Sequence, residues 1–162
     1  MDDQAEQSRR MMELLRGYMV TKSIQQIAAL GVVDRMGGEP SDVQTLATAV
    51  GANPDALYRV MRALATVGIF TEPAPRRFSL TPLGEQLREG PEGAPSMRHV
   101  ALFFGGDMYR AWNDLEHSIK TGKSAFDAVF GEAHFPYLDH HPEEARTFER
   151  AMAVGLGPRL EA

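Results

Sequence analysis

The sequence predicts a mainly α-helical fold built around a winged helix-turn-helix with a small β-wing, plus additional N- and C-terminal helices. Three observations predict it. Residues 41–67 form two stretches of helical periodicity joined by the turn Gly51-Ala52-Asn53-Pro54. Residues 69–80 supply two short strands around a proline-containing turn, and in the second Phe78 and Leu80 alternate with Arg77 and Ser79. Apolar residues also recur at helical spacing before Gly31 and after Ser96.

Taken in order, residues 3–30 read as one long helix. Met11, Leu15, Tyr18 and Met19 fall on one side, and Ile24, Ile27 and Ala28 continue the stripe. Gly17 costs roughly 1 kcal/mol against alanine there and allows a bend or a close helix contact. A small domain has little room to cover such a helix, so the early part is expected to pack on another chain. Residues 32–36 make a short helical turn, which Gly37, Gly38 and Pro40 break.

The helix-turn-helix follows over 41–50 and 54–67. Val43, Leu46, Ala47, Val50, Leu57, Val60, Met61 and Leu64 form its apolar face. Asn53 suits the N-cap of the second helix and Pro54 its first turn, where a missing amide hydrogen would be unpaired anyway. Gly68 stands where a C-cap residue is wanted. Ile69 and Phe70 open the first strand, Pro73, Ala74 and Pro75 form the tip, and Thr81 caps a helix that begins at Pro82 and runs to about Leu87.

After a loop at 90–95 the helical period returns at Met97, Val100, Ala101, Phe104, Met108, Trp112, Leu115 and Ile119. Gly105-Gly106 allows a break into two helices, with Asp107 then capping the second. Thr121-Gly122 ends the run. Residues 123–131 read as a short helix carrying Phe126, Val129 and Phe130. The segment Phe135-Pro136-Tyr137-Leu138 leads to a last helix that starts at Pro142, with Glu143 and Glu144 in its acidic first turn, and stops at Gly155 and Gly157-Pro158. Two units are expected: 1–95, with the N-terminal helix and winged helix, and 96–162, an aromatic-rich helical segment packed on it.

Composition narrows the function classes. The chain has 162 residues, 43% of them hydrophobic, a net charge of −5 and no cysteine. Disulfides, zinc-thiolate sites and cysteine nucleophiles are thereby excluded, and a cytoplasmic location is the expectation. No run is long and apolar enough to span a membrane, and the first ten residues lack the apolar core of a signal peptide. The five histidines include no His-x-x-x-His pair, and adjacent His140 and His141 rarely converge on one ion, so no metal is expected. There is no activated serine and no phosphate-cradling glycine loop followed by lysine.

With these elements placed, a family becomes recognisable. The chain resembles the N-terminal part of bacterial S-adenosylmethionine-dependent O-methyltransferases acting on polyketide and other aromatic natural products, an architecture shared with plant phenolic O-methyltransferases. The matching stretches include Ala28-Ala29-Leu30-Gly31-Val32-Val33-Asp34, Leu57-Tyr58-Arg59-Val60-Met61-Arg62-Ala63-Leu64 and Phe78-Ser79-Leu80-Thr81-Pro82-Leu83-Gly84. Trp112-Asn113-Asp114-Leu115, Thr121-Gly122-Lys123-Ser124-Ala125-Phe126 and Phe148-Glu149-Arg150-Ala151-Met152 extend them.

The resemblance implies that the aromatic helix and the last helix line an acceptor pocket, which nominates Phe103, Phe104, Met108, Trp112, Phe148 and Met152 as substrate-binding residues. It also implies a homodimer through the N-terminal helix, with Met11, Met12, Leu15, Tyr18 and Met19 at the interface. In that family a Rossmann-like domain follows and carries both the donor site and the catalytic base. Here Gly155-Leu156-Gly157 has no hydrophobic strand before it. The expectation is therefore that this chain contributes no catalytic residue and binds no cofactor, S-adenosylmethionine being implied for the complete enzyme. A standalone helper subunit working with a separate donor-binding chain is one alternative.

A winged-helix transcriptional regulator is another. It would use Arg59 and Arg62 on the second helix and Arg76 and Arg77 on the wing. Between residues 41 and 90, however, five arginines face five acids, and a phosphate-binding surface normally needs net positive charge. Nucleic acid is thus not expected as a partner.

Overall fold

The computed structural model describes the backbone of residues 2–91, 94 and 96–160, and the side chains of residues 4–91, 94 and 96–154. Helix α1 (Asp2–Ala29) leads through a 3-10 turn (Val33–Arg35) to strand β1 (Ser41–Asp42), then to helices α2 (Val43–Val50) and α3 (Pro54–Ala65). Strands β2 (Phe70–Ala74) and β3 (Arg77–Leu80) and the short α4 (Pro82–Glu85) complete the winged unit. Six helices follow: α5 (Met97–Gly105), α6 (Asp107–Trp112), α7 (Leu115–Thr121), α8 (Ala125–Phe130), α9 (His134–His140) and α10 (Pro142–Leu160).

The winged unit forms as its local chemistry dictates. Asn53 Oδ1 accepts from the amides of Asp55 and Ala56 at 3.1 and 3.0 Å, fixing the start of α3. Gly68, at φ 82°, turns the chain out of α3 into β2. Thr81 Oγ1 accepts from the Gly84 amide and donates to the Gly68 carbonyl at 2.6 Å, which ties α4 back to the start of the wing. Ile27, Val33, Val43, Met61, Leu64, Phe70 and Phe78 are buried together as the main core.

Several elements differ from expectation. Residues 41–42 were expected to begin a helix and instead form a third strand. The sheet order is β1-β3-β2, all antiparallel, with Ser41 opposite Phe78. The helix starts only at Val43, because the Asp42 side chain accepts from the Thr45 amide at 3.1 Å as its N-cap. The wing tip is not Pro73-Ala74-Pro75. The strand runs on to Ala74 and the turn falls at Pro75-Arg76, where Glu72 Oε1 accepts from the Arg76 amide at 2.9 Å. Regular helix also ends earlier than expected after α3, at Ala65, and after Pro82, at Glu85.

The second half shows larger differences. The chain does break at Gly105-Gly106, but Asp107 is not the cap: it lies in the first turn of α6, and its carboxylate accepts from Tyr137 instead. The expected run to Ile119 breaks again at Asn113-Asp114, where the Asn113 amide is shared between two carbonyls. Such short polar side chains favour non-helical backbone. Residues 135–138 lie inside α9, with Pro136 in its first turn, where an amide hydrogen has no helical partner. Helix α10 does not stop at Gly155 or at Gly157-Pro158; its backbone stays helical to Leu160, since the φ of proline is compatible with a helix and only one ladder bond is lost.

Helix α5 packs against both α1 and α10. At Gly105 the approach to α1 is so close that a Cβ would lie 2.3 Å from Gln25 Cβ, and Lys22 Nζ donates to the Gly105 carbonyl at 2.6 Å. At Gly17, by contrast, an added Cβ would meet nothing within 4 Å, and α1 is uninterrupted there. Replacing Gly105 by alanine is expected to force α5 off α1 and cost about 1–3 kcal/mol, read as a lower urea midpoint with unchanged slope.

Candidate functional site

Beyond the winged unit, α6, α8 and α9 build a second, smaller core. Ala111, Phe126 and Tyr137 are buried there, with Met108, Phe130 and Leu138 packed on them. Ser124 starts α8 by accepting from the Asp127 amide at 3.3 Å, and Ser118 Oγ accepts from the Ala125 amide at 2.9 Å, which ties α7 to α8. Between this core, the end of α5 and the first turns of α10 lies a cavity of about 220 Å³.

The cavity is walled by rings. Phe103 and Phe148 lie 5.5 Å apart by centroid, and His134 sits 5.3 Å from Phe148 and 4.9 Å from Phe126. Tyr137 continues the series 5.3 Å from Phe126, edge-on. These spacings are those of favourable aromatic pairs, each contributing about 0.5–1.5 kcal/mol beyond burial. His134 joins the two halves of this network through its ring faces and has no hydrogen bond among the described residues.

Polar groups sit among the rings. Tyr137 donates to Asp107 Oδ2 at 2.8 Å, and its ring stacks 3.7 Å from His141. Burial, the bond to Asp107 and the charges of Asp107 and Glu144, opposed by Arg110, push the Tyr137 phenol up to about 12. Arg110 pairs with Asp107 at 3.2 Å and lies over Phe130. Glu143, Glu144 and Thr147 form the α10 side of the cavity.

A second, polar cavity adjoins it, sharing Glu143 and Thr147 and adding His99, Arg146 and Arg150. His99 is buried, and burial holds its imidazole below the ordinary value, with Arg150 and Arg98 acting in the same sense against Glu89. Arginine only donates, so His99 Nε2 accepts from Arg150 at 3.2 Å while Nδ1 has no partner among the described residues. Glu89 connects Arg150, at 3.5 Å, to Arg98, at 3.1 Å, and Arg98 pairs in turn with Asp34. This chain of charges ties α10 to the winged unit.

The residues nominated from sequence fall in different places. Phe103 and Met108 line the aromatic cavity, and Phe148 stacks at its edge. Phe104 turns the other way, into an apolar groove with Ile24, Leu83 and Met97. Trp112 is 66% exposed and lines neither cavity, and Met152 is exposed on α10. Sequence reasoning missed Phe126, His134, Tyr137 and Leu138 as cavity residues. They stand on short helices whose proximity is not local in the chain, although the density of aromatic residues between 126 and 137 was visible. Met11, Met12, Leu15, Tyr18 and Met19 are all exposed along one uncovered half of α1. Of the arginines a DNA reader would use, Arg76 pairs with Asp55 at 3.0 Å and lies over Tyr58, and Arg77 donates to the Pro40 carbonyl; Arg59 and Arg62 are exposed. Among the described residues no group of histidines and carboxylates is placed to hold a metal, and no helix is long and apolar enough to cross a membrane.

Comparison with known proteins places this geometry. Residues 12–89 match the family model of the O-methyltransferase dimerisation domain. Phenazine O-methyltransferase PhzM of Lysobacter antibioticus is 41% identical over 143 residues, which are 88% of this chain and 41% of that enzyme. The 3-amino-4-hydroxybenzoate 4-O-methyltransferase of Streptomyces cremeus is 40% identical over 91% of this chain and 40% of its own length. The crystal structure of LaPhzM superposes with a TM-score of 0.87 at 40% identity, covering 92% of this chain and 44% of the other. The chain thus spans about two fifths of the length of these curated relatives.

The raised Tyr137 phenol makes a testable link between site and stability. In the folded chain it keeps its proton to about 12, whereas an unfolded tyrosine loses it near 10. The folded state therefore holds more protons between those values. The stability Tyr137 contributes is fully present below about pH 10 and is lost as pH rises toward about 12. Absorbance titration of the four tyrosines should show one that ionises last, near pH 12, and Tyr137→Phe should abolish that component and flatten the loss of stability across the same interval.

Proposed function

The chain belongs to the family of bacterial natural-product O-methyltransferases, within which residues 12–89 form the dimerisation domain, and on that footing we propose that it pairs two subunits through α1 and holds a flat aromatic methyl acceptor in the ring-walled cavity. The observation that carries this proposal is the cavity itself, about 220 Å³ and lined in part by Phe103, Phe126, His134 and Tyr137, beside a domain whose leading helix presents an uncovered apolar face. A pocket of aromatic and thioether side chains suits a planar ligand. The acceptor chemistry of the relatives, phenazines and an aminohydroxybenzoate, is of that shape.

The role assigned to these residues is positional. The rings would fix the plane of the acceptor and exclude water from it, so that its nucleophilic oxygen meets the methyl group in line; such orientation can account for a large part of a two-substrate barrier. S-adenosylmethionine is the donor implied for the complete enzyme. A nucleoside donor is held by a strand, a tight glycine turn and a helix N-terminus. Among the described residues all three strands belong to the wing, Gly105-Gly106 joins two helices, and Gly155 and Gly157 lie inside α10. These residues do not fit the donor, and its binding is assigned to the remainder of the complete enzyme or to a partner chain.

Three measurements test this. Sedimentation should show a dimer, and the double substitution Leu15→Glu with Met19→Glu should give a folded monomer; an unchanged dimer would place the interface elsewhere. Titration with 2-naphthol, a neutral flat phenol, should shift the amide resonances around Phe103, Phe126 and His134. Phe103→Ala should weaken that binding roughly tenfold. Calorimetry should detect no S-adenosylmethionine binding to this chain alone, and clear binding would refute the division of labour.

A further inference from the structure

The ring-walled cavity also has a sign. Its lining includes three carboxylates, Asp107, Glu143 and Glu144, and no lysine or arginine. The three are not equivalent. Asp107 is engaged by the Tyr137 hydroxyl and by Arg110. Glu143 extends into solvent, its side chain 86% exposed, with Arg146 at 3.9 Å. Glu144 is half-buried and has no hydrogen bond or ion pair among the described residues. A half-buried carboxylate without a partner, in a cavity lined by several aromatic rings, is a combination that suits an organic cation: a ring quadrupole attracts the charge and the carboxylate pairs with it. The cations nearby are committed elsewhere. Arg110 lies over Phe130 and pairs with Asp107, and Arg146 lines the adjoining polar cavity with His99 and Arg150.

We propose that this cavity selects planar aromatic acceptors bearing a cationic nitrogen, and that Glu144 is the specificity-determining residue that pairs with that nitrogen. The inference rests on the acceptor reading of the same cavity and adds the charge class of the ligand. Tyr137 responds to the same carboxylates. It is a phenol already standing in the cavity wall, and its burial, its bond to Asp107 and the charges of Asp107 and Glu144 keep it protonated. An anionic substituent placed beside it would meet the same desolvation and the same repulsion. A cation there would meet attraction from both.

The test uses the full chain and three planar bicyclic probes of similar size: N-methylquinolinium, 2-naphthoate and 2-naphthol. Binding is followed through amide shifts around the cavity at low salt. N-methylquinolinium should bind at least roughly tenfold more tightly than 2-naphthoate. Glu144→Gln should bring the two within about twofold while leaving 2-naphthol unchanged, and Glu144→Ala should do the same. Glu149→Gln, on the exposed side of α10, should keep the wild-type ratio. Equal or tighter binding of 2-naphthoate, or a charge preference that survives both Glu144 substitutions, overturns this inference alone. Failure of all three probes, 2-naphthol included, to shift the cavity residues overturns the acceptor reading with it.

Discussion

The close contact between α5 and α1 is the constraint from which the rest of the architecture follows. At Gly105 the Gln25 side chain of α1 lies so close to the α5 backbone that a Cβ would have no room, and Lys22 bonds the Gly105 carbonyl beside it. Because α5 is held there, its opposite side is available to α10, and the consecutive residues Phe103 and Phe104 are sent to different places. A helix turns about 100° per residue. Phe103 therefore meets Phe148 and the aromatic cavity, while Phe104 closes the groove beside α1 and α4. One helix thus packs on the large core of the winged unit and lines the cavity beside the small one of α6, α8 and α9.

A second set of interactions acts at the other end of α5. Asp34, Arg98, Glu89 and Arg150 form a continuous line of charges from the 3-10 turn to α10, with the neutral His99 ring bonded to Arg150 beside it. Exposed ion pairs contribute little singly, about 0–1 kcal/mol, but Arg98 and His99 are largely shielded from water. Ser96 prepares this corner: its hydroxyl donates to the Arg88 carbonyl and accepts from the Arg98 amide, placing Arg98 and His99 toward Glu89. Packing sets the spacing between α1 and α5, and this polar corner sets the angle at which α10 closes the cavity.

How much of this was legible in the sequence follows from where the information resides. The winged unit was readable because its signals are local. Asn53 and Pro54 specify a helix start, Gly68 its exit, and the apolar period of Val43, Leu46, Leu57, Met61 and Leu64 marks the buried face. What was missed there, strand β1, depends on pairing with residues far along the chain. The aromatic segment was less readable for the same reason. Its helices are six or seven residues long between α5 and α10, too short for a period to declare a face. Asp107 illustrates the point: its local chemistry suits an N-cap, and a tertiary partner, the Tyr137 hydroxyl, takes its carboxylate instead. Trp112, nominated by family resemblance, ends a six-residue helix facing water, and Tyr137, which no local pattern distinguished, sits at the centre of the small core.

Helix α1 divides into two ends with different physics. Toward its C-terminus, Ile27 and Ala28 are buried against the winged core and Lys22 and Gln25 meet α5. Toward its N-terminus Met11, Met12, Leu14, Leu15, Tyr18 and Met19 are each more than 40% exposed. That half is supported within the chain by exposed ion pairs of Arg9 and Arg10 with Glu6 and Glu13, which water screens to small contributions. Six large apolar side chains along about two and a half turns are too much exposed apolar surface for a lone folded chain to favour. They contribute little to the fold of a single chain, so this half of the helix can be read as association surface rather than core. Under the proposed pairing through α1, association and folding are separable: changes there move the one with little effect on the other, because the residues that pack on the core, from Ile24 onward, follow the last of the exposed ones.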